Sequence, residues 1–213
     1  MIYIHGTPGN AGGWRDYLAD PVPGTESIAI DRPGFGRSDR ERAFPALADQ
    51  AAAIEPFLDP KVPAILVGHS LGAPIAADVA ARWPDRVTGV VLLAGALDPD
   101  LERVLLVQRL GEFPPIAAVL PRWLRHTNRE LIPLGDELRD LEPRLAGVTA
   151  HIEIIHGTKD AQVPFANVDY MIPRFPNAAS VRVTRLEDVN HFLPWNSAAD
   201  LRAAITRLHD AGP

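Results

Sequence analysis

The run Ala64-Ile65-Leu66-Val67-Gly68-His69-Ser70-Leu71-Gly72 decides the fold. Four apolar residues, β-branched or aliphatic, read as a strand buried on both faces, and the stretch Leu71–Trp83 behind it reads as a helix. Between them lies Gly-x-Ser-x-Gly. A serine at the tip of so tight a strand-to-helix turn is forced into strained backbone angles that only small neighbours permit, and its hydroxyl is lifted above the sheet edge. Gly68 and Gly72 supply the room. Ser70 also stands at a helix amino end, where unpaired N–H groups favour developing negative charge.

A serine hydroxyl near pH 7 is a weak nucleophile and needs a base; histidine has the suitable pKa. Of seven histidines, His5 and His156 end strands, His69 lies inside the turn, His151 opens a strand, and His126 and His209 fall on helix-like stretches. His191, in Asn190-His191-Phe192-Leu193-Pro194-Trp195, follows the last strand and precedes the final helix, where an imidazole can swing over Ser70. Its tautomer needs a carboxylate partner. Asp160, in the loop after Ile152–Ile155, is the candidate; Asp98, after the preceding strand, is the rival, and Asp188 reads as a solvated loop charge. The order Ser70, Asp160, His191 is that of one hydrolase fold and of neither familiar serine protease order. Two N–H donors must converge on an oxyanion. Leu71 supplies one, and the loop His5-Gly6-Thr7-Pro8-Gly9 the other, through Thr7 because Pro8 has no N–H.

Outward from this centre, five further runs predict strands: Met1–Ile4, Ser27–Asp31, Val87–Leu93, Ile152–Ile155 and Val181–Leu186. Helix-compatible stretches alternate with them: Trp14–Leu18, Phe44–Phe57, Ala166–Phe175 and Ala198–His209. Alternation of this kind predicts an α/β domain, doubly wound about a mostly parallel sheet of about six strands. Its functional residues are expected at the carboxyl ends of the strands. Residues 98–149 break the pattern with prolines and broken helical runs but no strand, and predict a small helical cap inside a single domain spanning residues 1–213.

Composition narrows the classes further. The chain has 213 residues, no cysteine, 21 Lys+Arg and 27 Asp+Glu, for a net charge of −6. A core of this size needs neither disulfides nor structural metals, and the acidic balance argues against a nucleic-acid partner. The longest apolar runs, such as Val87–Leu97, are interrupted by glycine and too short for a span, so no membrane partner is expected. No signal peptide is visible at the start of the sequence, and the expected location is cytoplasmic. The string Gly34-x-Gly36 is no dinucleotide loop, since Asp39 stands where the third glycine belongs.

Together, His5-Gly6-Thr7-Pro8-Gly9, the block Asp31-Arg32-Pro33-Gly34-Phe35-Gly36-Arg37-Ser38-Asp39, the Ser70 turn and the Asp160/His191 pair resemble the α/β-hydrolase superfamily over nearly the whole chain. In that family the second block is a structural loop, which implies no catalytic role for Arg32, Arg37 or Asp39. Two features depart from the pattern. Family members have an antiparallel strand pair ahead of the His-Gly loop, whereas Met1 here already lies in the strand leading to it. The expected form is therefore shortened at the amino end, with strand order 2-1-3-4-5-6 and an exposed edge at Ser27–Asp31 that invites a homodimer. The second departure is Asn190, which replaces a frequent glycine and tolerates the same backbone angles.

The resemblance implies a serine esterase acting on a small-molecule ester of a small or medium apolar acid, without cofactor or metal. Serine at the turn disfavours the dehalogenase and epoxide hydrolase branches, which use aspartate. Phe113, Leu120, Trp123, Phe165 and Trp195 are candidates to line an apolar pocket. Alternatives on the same residues are a proline-releasing aminopeptidase, with Glu102, Glu112 or Glu130 anchoring an amine, a C–C bond hydrolase and a hydroxynitrile lyase. A ligand receptor on a hydrolase scaffold, or an inactive fragment, is the non-catalytic alternative.

Overall fold

The computed structural model describes residues 1–38 and 44–212. The elements run β1 (Ile2–Ile4), α1 (Arg15–Ala19), β2 (Ile28–Ile30), α2 (Leu47–Ala52), β3 (Ala64–His69), α3 (Gly72–Arg82) and β4 (Val87–Leu93). There follow α4 (Leu106–Gly111), α5 (Pro114–Ala117), α6 (Arg122–Leu131), α7 (Leu134–Leu141), β5 (His151–Gly157), α8 (Ala166–Met171), β6 (Ser180–Leu186), α9 (Leu193–Asn196) and α10 (Ala198–Ala211). All six strands are parallel, in the order β2-β1-β3-β4-β5-β6. This is the doubly wound sheet and the strand order expected.

The period of two along each strand divides the core. Leu66, Val90, Leu92, Ile152 and Ile154 face one layer, with α2, α3, α7 and α8. Ile65, Val67, Val91, Leu93 and Ile155 face the other, where Trp14, Tyr17 and the Leu201–Leu208 stripe of α10 cover them. β3 is buried at every position, as a strand covered on both faces must be. The alanine-rich α3 brings Ala73, Ala76, Ala77 and Ala80 against the sheet with almost no exposure, so its first turn sits directly behind the end of β3.

Several boundaries differ from expectation. β3 runs on through Gly68 and His69, and β5, which opens at His151 as expected, runs past Ile155 to Gly157, because pairing with β4 and β6 continues past the apolar residues. The stretch Phe44–Phe57 forms only the short α2 and a 3-10 turn at Glu55–Phe57, with Pro56 breaking the helix. Residues 98–149 hold α4 to α7 and a 3-10 turn at Glu142–Gly147, with no strand. Among the described residues no helix is long and apolar enough to cross a membrane.

Candidate active site

Ser70 occupies the turn between β3 and α3 with φ at +54°, in the left-handed region. Such a conformation in a non-glycine residue costs about 1–3 kcal/mol and persists only where the surroundings impose it. Here they do. The Ser70 N–H donates to the Leu93 carbonyl at 3.0 Å, and the Ser70 carbonyl accepts from Ala73 N–H at 3.0 Å. A Cβ on Gly68 would lie 2.2 Å from the Gly72 oxygen, and one on Gly72 would lie 2.3 Å from the Ile4 oxygen. Both glycines are therefore required by close backbone contact.

The loops after β5 and β6 are knitted together. Thr158 N–H donates to Leu186 O at 2.9 Å and Lys159 N–H to Val189 O at 3.0 Å. This arrangement brings the buried Asp160 and His191 together, with 2.6 Å between His191 Nδ1 and Asp160 Oδ2. The other carboxylate oxygen accepts the N–H groups of Val163 at 2.8 Å and Gln162 at 2.9 Å. Burial pushes the Asp160 carboxyl up, but the bonds from His191 and the two backbone amides outweigh it and hold the group below its ordinary value. His156 Nε2 donates to the Val163 carbonyl at 2.9 Å. Its 3.6 Å approach to Asp160 is therefore proximity rather than an ion pair, and burial lowers its pKa, keeping it neutral.

Asp98, the rival acid, accepts the Asp100 N–H at 3.0 Å and makes no bond to His191. Asp188 pairs with Lys159 at 2.9 Å in solvent. His69 Nε2 lies 3.0 Å from the His191 carbonyl; since a carbonyl only accepts, that nitrogen carries the proton. Burial and the neighbouring His191 lower the pKa of His69 to about 4.

The loop after β1 is braced from behind by Arg32, whose side chain is wholly buried. Its guanidinium donates to the His5 carbonyl at 2.8 Å, the Gly6 carbonyl at 3.0 Å and Gln50 Oε1 at 2.7 Å. It also engages both oxygens of Glu130, at 2.6 and 3.2 Å. Glu130 belongs to α6, so a carboxylate from residues 98–149 locks the first loop to the sheet. Arg32 N–H donates to His5 Nε2 at 3.1 Å, which leaves the proton on Nδ1 to donate to the Gly6 carbonyl at 2.7 Å. Thr7 Oγ1 donates to Thr127 Oγ1 of α6 at 3.3 Å. A Cβ on Gly6 would stand 2.8 Å from Ser70 Cβ and 3.4 Å from Ser70 Oγ, so this backbone passes directly beside the hydroxyl. The N–H groups of Thr7 and Leu71 have no acceptor among the described residues. Asp39 lies outside the described residues.

Two cavities meet at Ser70. One of about 420 Å³ is walled by His191, Phe192, Trp195, Trp14 and the Thr7 loop. The other, of about 570 Å³, runs under residues 98–149 and is walled by Leu71, Leu101, Glu102, Gln108, Leu134 and Val163. Of the aromatic residues expected at a pocket, Trp195 lines the first cavity. Trp123 lines an adjoining cleft with Pro8 and Phe35 that does not reach Ser70. Phe165 and Phe113 line neither cavity. The Phe165 ring is taken up against His156, at 5.7 Å between centroids, under the Arg185 guanidinium; Phe113 faces solvent ahead of α5. Leu120 is half-buried under Gly111.

Gln162, Phe192, Trp14 and Leu134 were not anticipated as wall residues. The first two lie within two positions of Asp160 and His191 in sequence, and that proximity is the signal that would have found them. Of the three acids considered as amine anchors, Glu130 is engaged by Arg32 and Glu112 lies 3.6 Å from Arg129. Glu102 is on the cavity wall, where burial and nearby Asp98 raise its pKa to about 7. Among the described residues no group of three or more His, Asp or Glu side chains is placed to hold a metal ion.

Residues 1–129 match the family model described as alpha/beta hydrolase fold, and the chain belongs to that family. It is 25% identical to the dihydrolipoyllysine-residue acetyltransferase component of the acetoin cleaving system of Cupriavidus necator, over 97% of this chain and 62% of that protein. Against the pimeloyl-[acyl-carrier protein] methyl ester esterase of Aeromonas hydrophila, identity is 24%, covering 85% of each chain. A Mycolicibacterium smegmatis monoacylglycerol lipase is 27% identical, over 82% of this chain and 74% of its own. Among solved structures, the monoacylglycerol lipase of Paleococcus ferrophilus superposes with a TM-score of 0.76 at 17% identity, covering 97% of this chain and 91% of that one. The chain thus spans less than two thirds of the first of these relatives and more of the others.

Proposed function

We propose that the chain is a serine hydrolase cleaving carboxylic esters of small or medium apolar acids. The observation that carries the reading is the 2.6 Å contact between His191 Nδ1 and Asp160, beside the same cavity that Ser70 enters from its strained turn. With Nδ1–H given to Asp160, neutral His191 has its lone pair on Nε2. That nitrogen takes the Ser70 proton as Oγ attacks the ester carbonyl. The Thr7 and Leu71 N–H groups hold the oxyanion, each such donor contributing about 10² to 10³ in rate. His191 then protonates the departing alcohol, and water, deprotonated by the same imidazole, releases the acid and restores Ser70. No cofactor enters these steps.

In this reading residues 98–149 act as a cap. The cavity beneath them, with Leu71, Leu101, Leu134 and Val163 on its walls, takes the acyl chain. The aromatic cavity at Trp195 takes the alcohol. The esterase and lipase named among the relatives support ester over amide chemistry. One residue favours a second reading: Glu102 on the acyl-side wall would pair with an amine, as an aminopeptidase requires. Initial rates on nitrophenyl acetate and butyrate, compared with prolyl anilides, separate the two. The expected result is ester turnover that Ser70→Ala abolishes, with prolyl anilides inert; undiminished ester turnover in Ser70→Ala would refute the serine mechanism.

A further inference from the structure

Helix α4 is inside out. Its inward positions are Gln108, whose carbonyl accepts from Asn128 of α6, and the buried Gly111, beside Leu120 and Asn128. Its outward positions are Leu106, Val107 and Leu110, and Phe113 continues the same side at the i, i+4, i+7 spacing. Leu106 and Val107 are 75% and 67% exposed, and Val119, beyond α5, is 81% exposed. Eight of the fifteen large apolar side chains exposed among the described residues fall between positions 105 and 123. Scattered exposed leucines need no explanation, but a contiguous apolar face does.

The charge on this segment is opposite to that of the chain. The whole sequence carries −6, yet residues 103–113, α4 with its flanks, contain Arg103 and Arg109 against the single acid Glu112. Arg103 and Arg109 are exposed and have no carboxylate partner among the described residues. The acids nearest in sequence are engaged or face elsewhere: Asp100 pairs with Arg139, Glu112 lies by Arg129, and Glu102 is on the cavity wall. An apolar helical face with cations beside it and the exposed aromatic Phe113 at its end matches the chemistry of a bilayer interface with anionic headgroups.

We infer that the outward side of α4 and the turn after it dock on an anionic lipid surface, Leu106, Leu110 and Phe113 entering the acyl boundary while Arg103 and Arg109 meet the headgroups. The inference does not depend on the hydrolytic reading. It also qualifies the sequence-based expectation of no membrane partner: that argument excludes a spanning segment, whereas peripheral docking needs only one face of one helix. Because Leu105 and Gln108 of the same segment line the cavity that reaches Ser70, the docked side would stand next to the route inward.

The test is co-sedimentation of the full chain with phosphatidylglycerol/phosphatidylcholine vesicles and with phosphatidylcholine vesicles alone, at low and high salt. The expected result is binding to the anionic vesicles that weakens as salt rises. It should fall at least about tenfold in the double variant Leu106→Asp, Leu110→Asp, and severalfold in Arg109→Glu. These residues line neither cavity at Ser70, so circular dichroism and thermal melting of the variants should match the parent. Should the double aspartate variant misfold, Leu106→Gln with Arg109→Glu gives the same reading. Absence of binding to anionic vesicles at low salt, or binding that none of these changes reduces, overturns the inference. So does a parent that fails to bind vesicles but forms a dimer that Leu106→Asp breaks, which would assign the face to a second copy.

Discussion

His69 Nε2 donates to the backbone carbonyl of His191 at 3.0 Å, and the two rings lie 4.8 Å apart between centroids. The residue that precedes the serine therefore holds the backbone of the residue that would act as its base. One loop hangs from β3 and the other follows β6, at the far edge of the sheet, so this bond fixes a distance that no single element sets.

Replacement of His69 by alanine should loosen that link. A misplacement on the order of 1 Å between reacting groups can cost about 100-fold in rate, so kcat on nitrophenyl butyrate should drop by about 10- to 100-fold. Leaving the carbonyl unpaired should also cost about 1–3 kcal/mol of stability. Steady-state kinetics and urea denaturation on the same preparation check both, and unchanged kcat would remove the positioning role.

Asp160→Asn should leave the fold intact and lower kcat by about 10⁴-fold, because an amide no longer fixes the imidazole tautomer or stabilises its cation. The KM should change far less. A loss of kcat below tenfold would point to another acid, Asp98 being the one to examine.

The buried pair Arg32–Glu130 joins the first loop to α6. Glu130→Gln leaves a buried guanidinium without its counter-charge and should destabilise by about 3–5 kcal/mol, read as a lowered urea midpoint. Activity at temperatures where the variant is folded should also fall, since the His5 and Gly6 carbonyls lose the geometry that Arg32 imposes. A midpoint equal to the parent's would show that the pair contributes nothing.

Stability should decline with acid in a defined direction. His69 is held at a pKa of about 4 against an unperturbed 6.5 by its burial and by His191. The unfolded chain therefore binds the proton first, and the native state loses stability as pH falls from about 6.5 toward 4. The shift corresponds to about 3 kcal/mol. His5 and His156, lowered by burial, act in the same sense. Asp160, lowered overall, contributes stability that is present above its ordinary pKa of 3.8 and lost below it. Urea midpoints measured across this range should fall continuously and fall less in His69→Gln; a flat profile would contradict the assignment.

The sheet was legible because its strands are short apolar runs with turn residues between them, and a parallel order follows once helices alternate with strands. Candidate residues at strand ends were legible for the same reason: Ser70, Asp160 and His191 each follow a run that reads as a strand. Ends of elements were less so, since pairing carries β3 and β5 past their last aliphatic residue. The pocket was the least legible part. Phe165 and Phe113 are apolar aromatic residues of the right kind in the right region, and nothing local reveals that one ring covers His156 while the other faces solvent. Arg32 reads as part of a structural loop, and so it is. What the sequence cannot reveal is its partner, ninety-eight positions away in α6.

The central claim is that Ser70 carries the reactive hydroxyl, and covalent labelling tests it most directly. The protein is treated with a fluorophosphonate, and the modified peptide is mapped by mass spectrometry in the parent and in His191→Ala. The account predicts a single adduct on Ser70 in the parent and a labelling rate reduced by at least about 100-fold in His191→Ala, the loss expected of a missing general base. No adduct on Ser70, or labelling that proceeds equally well without His191, would contradict it.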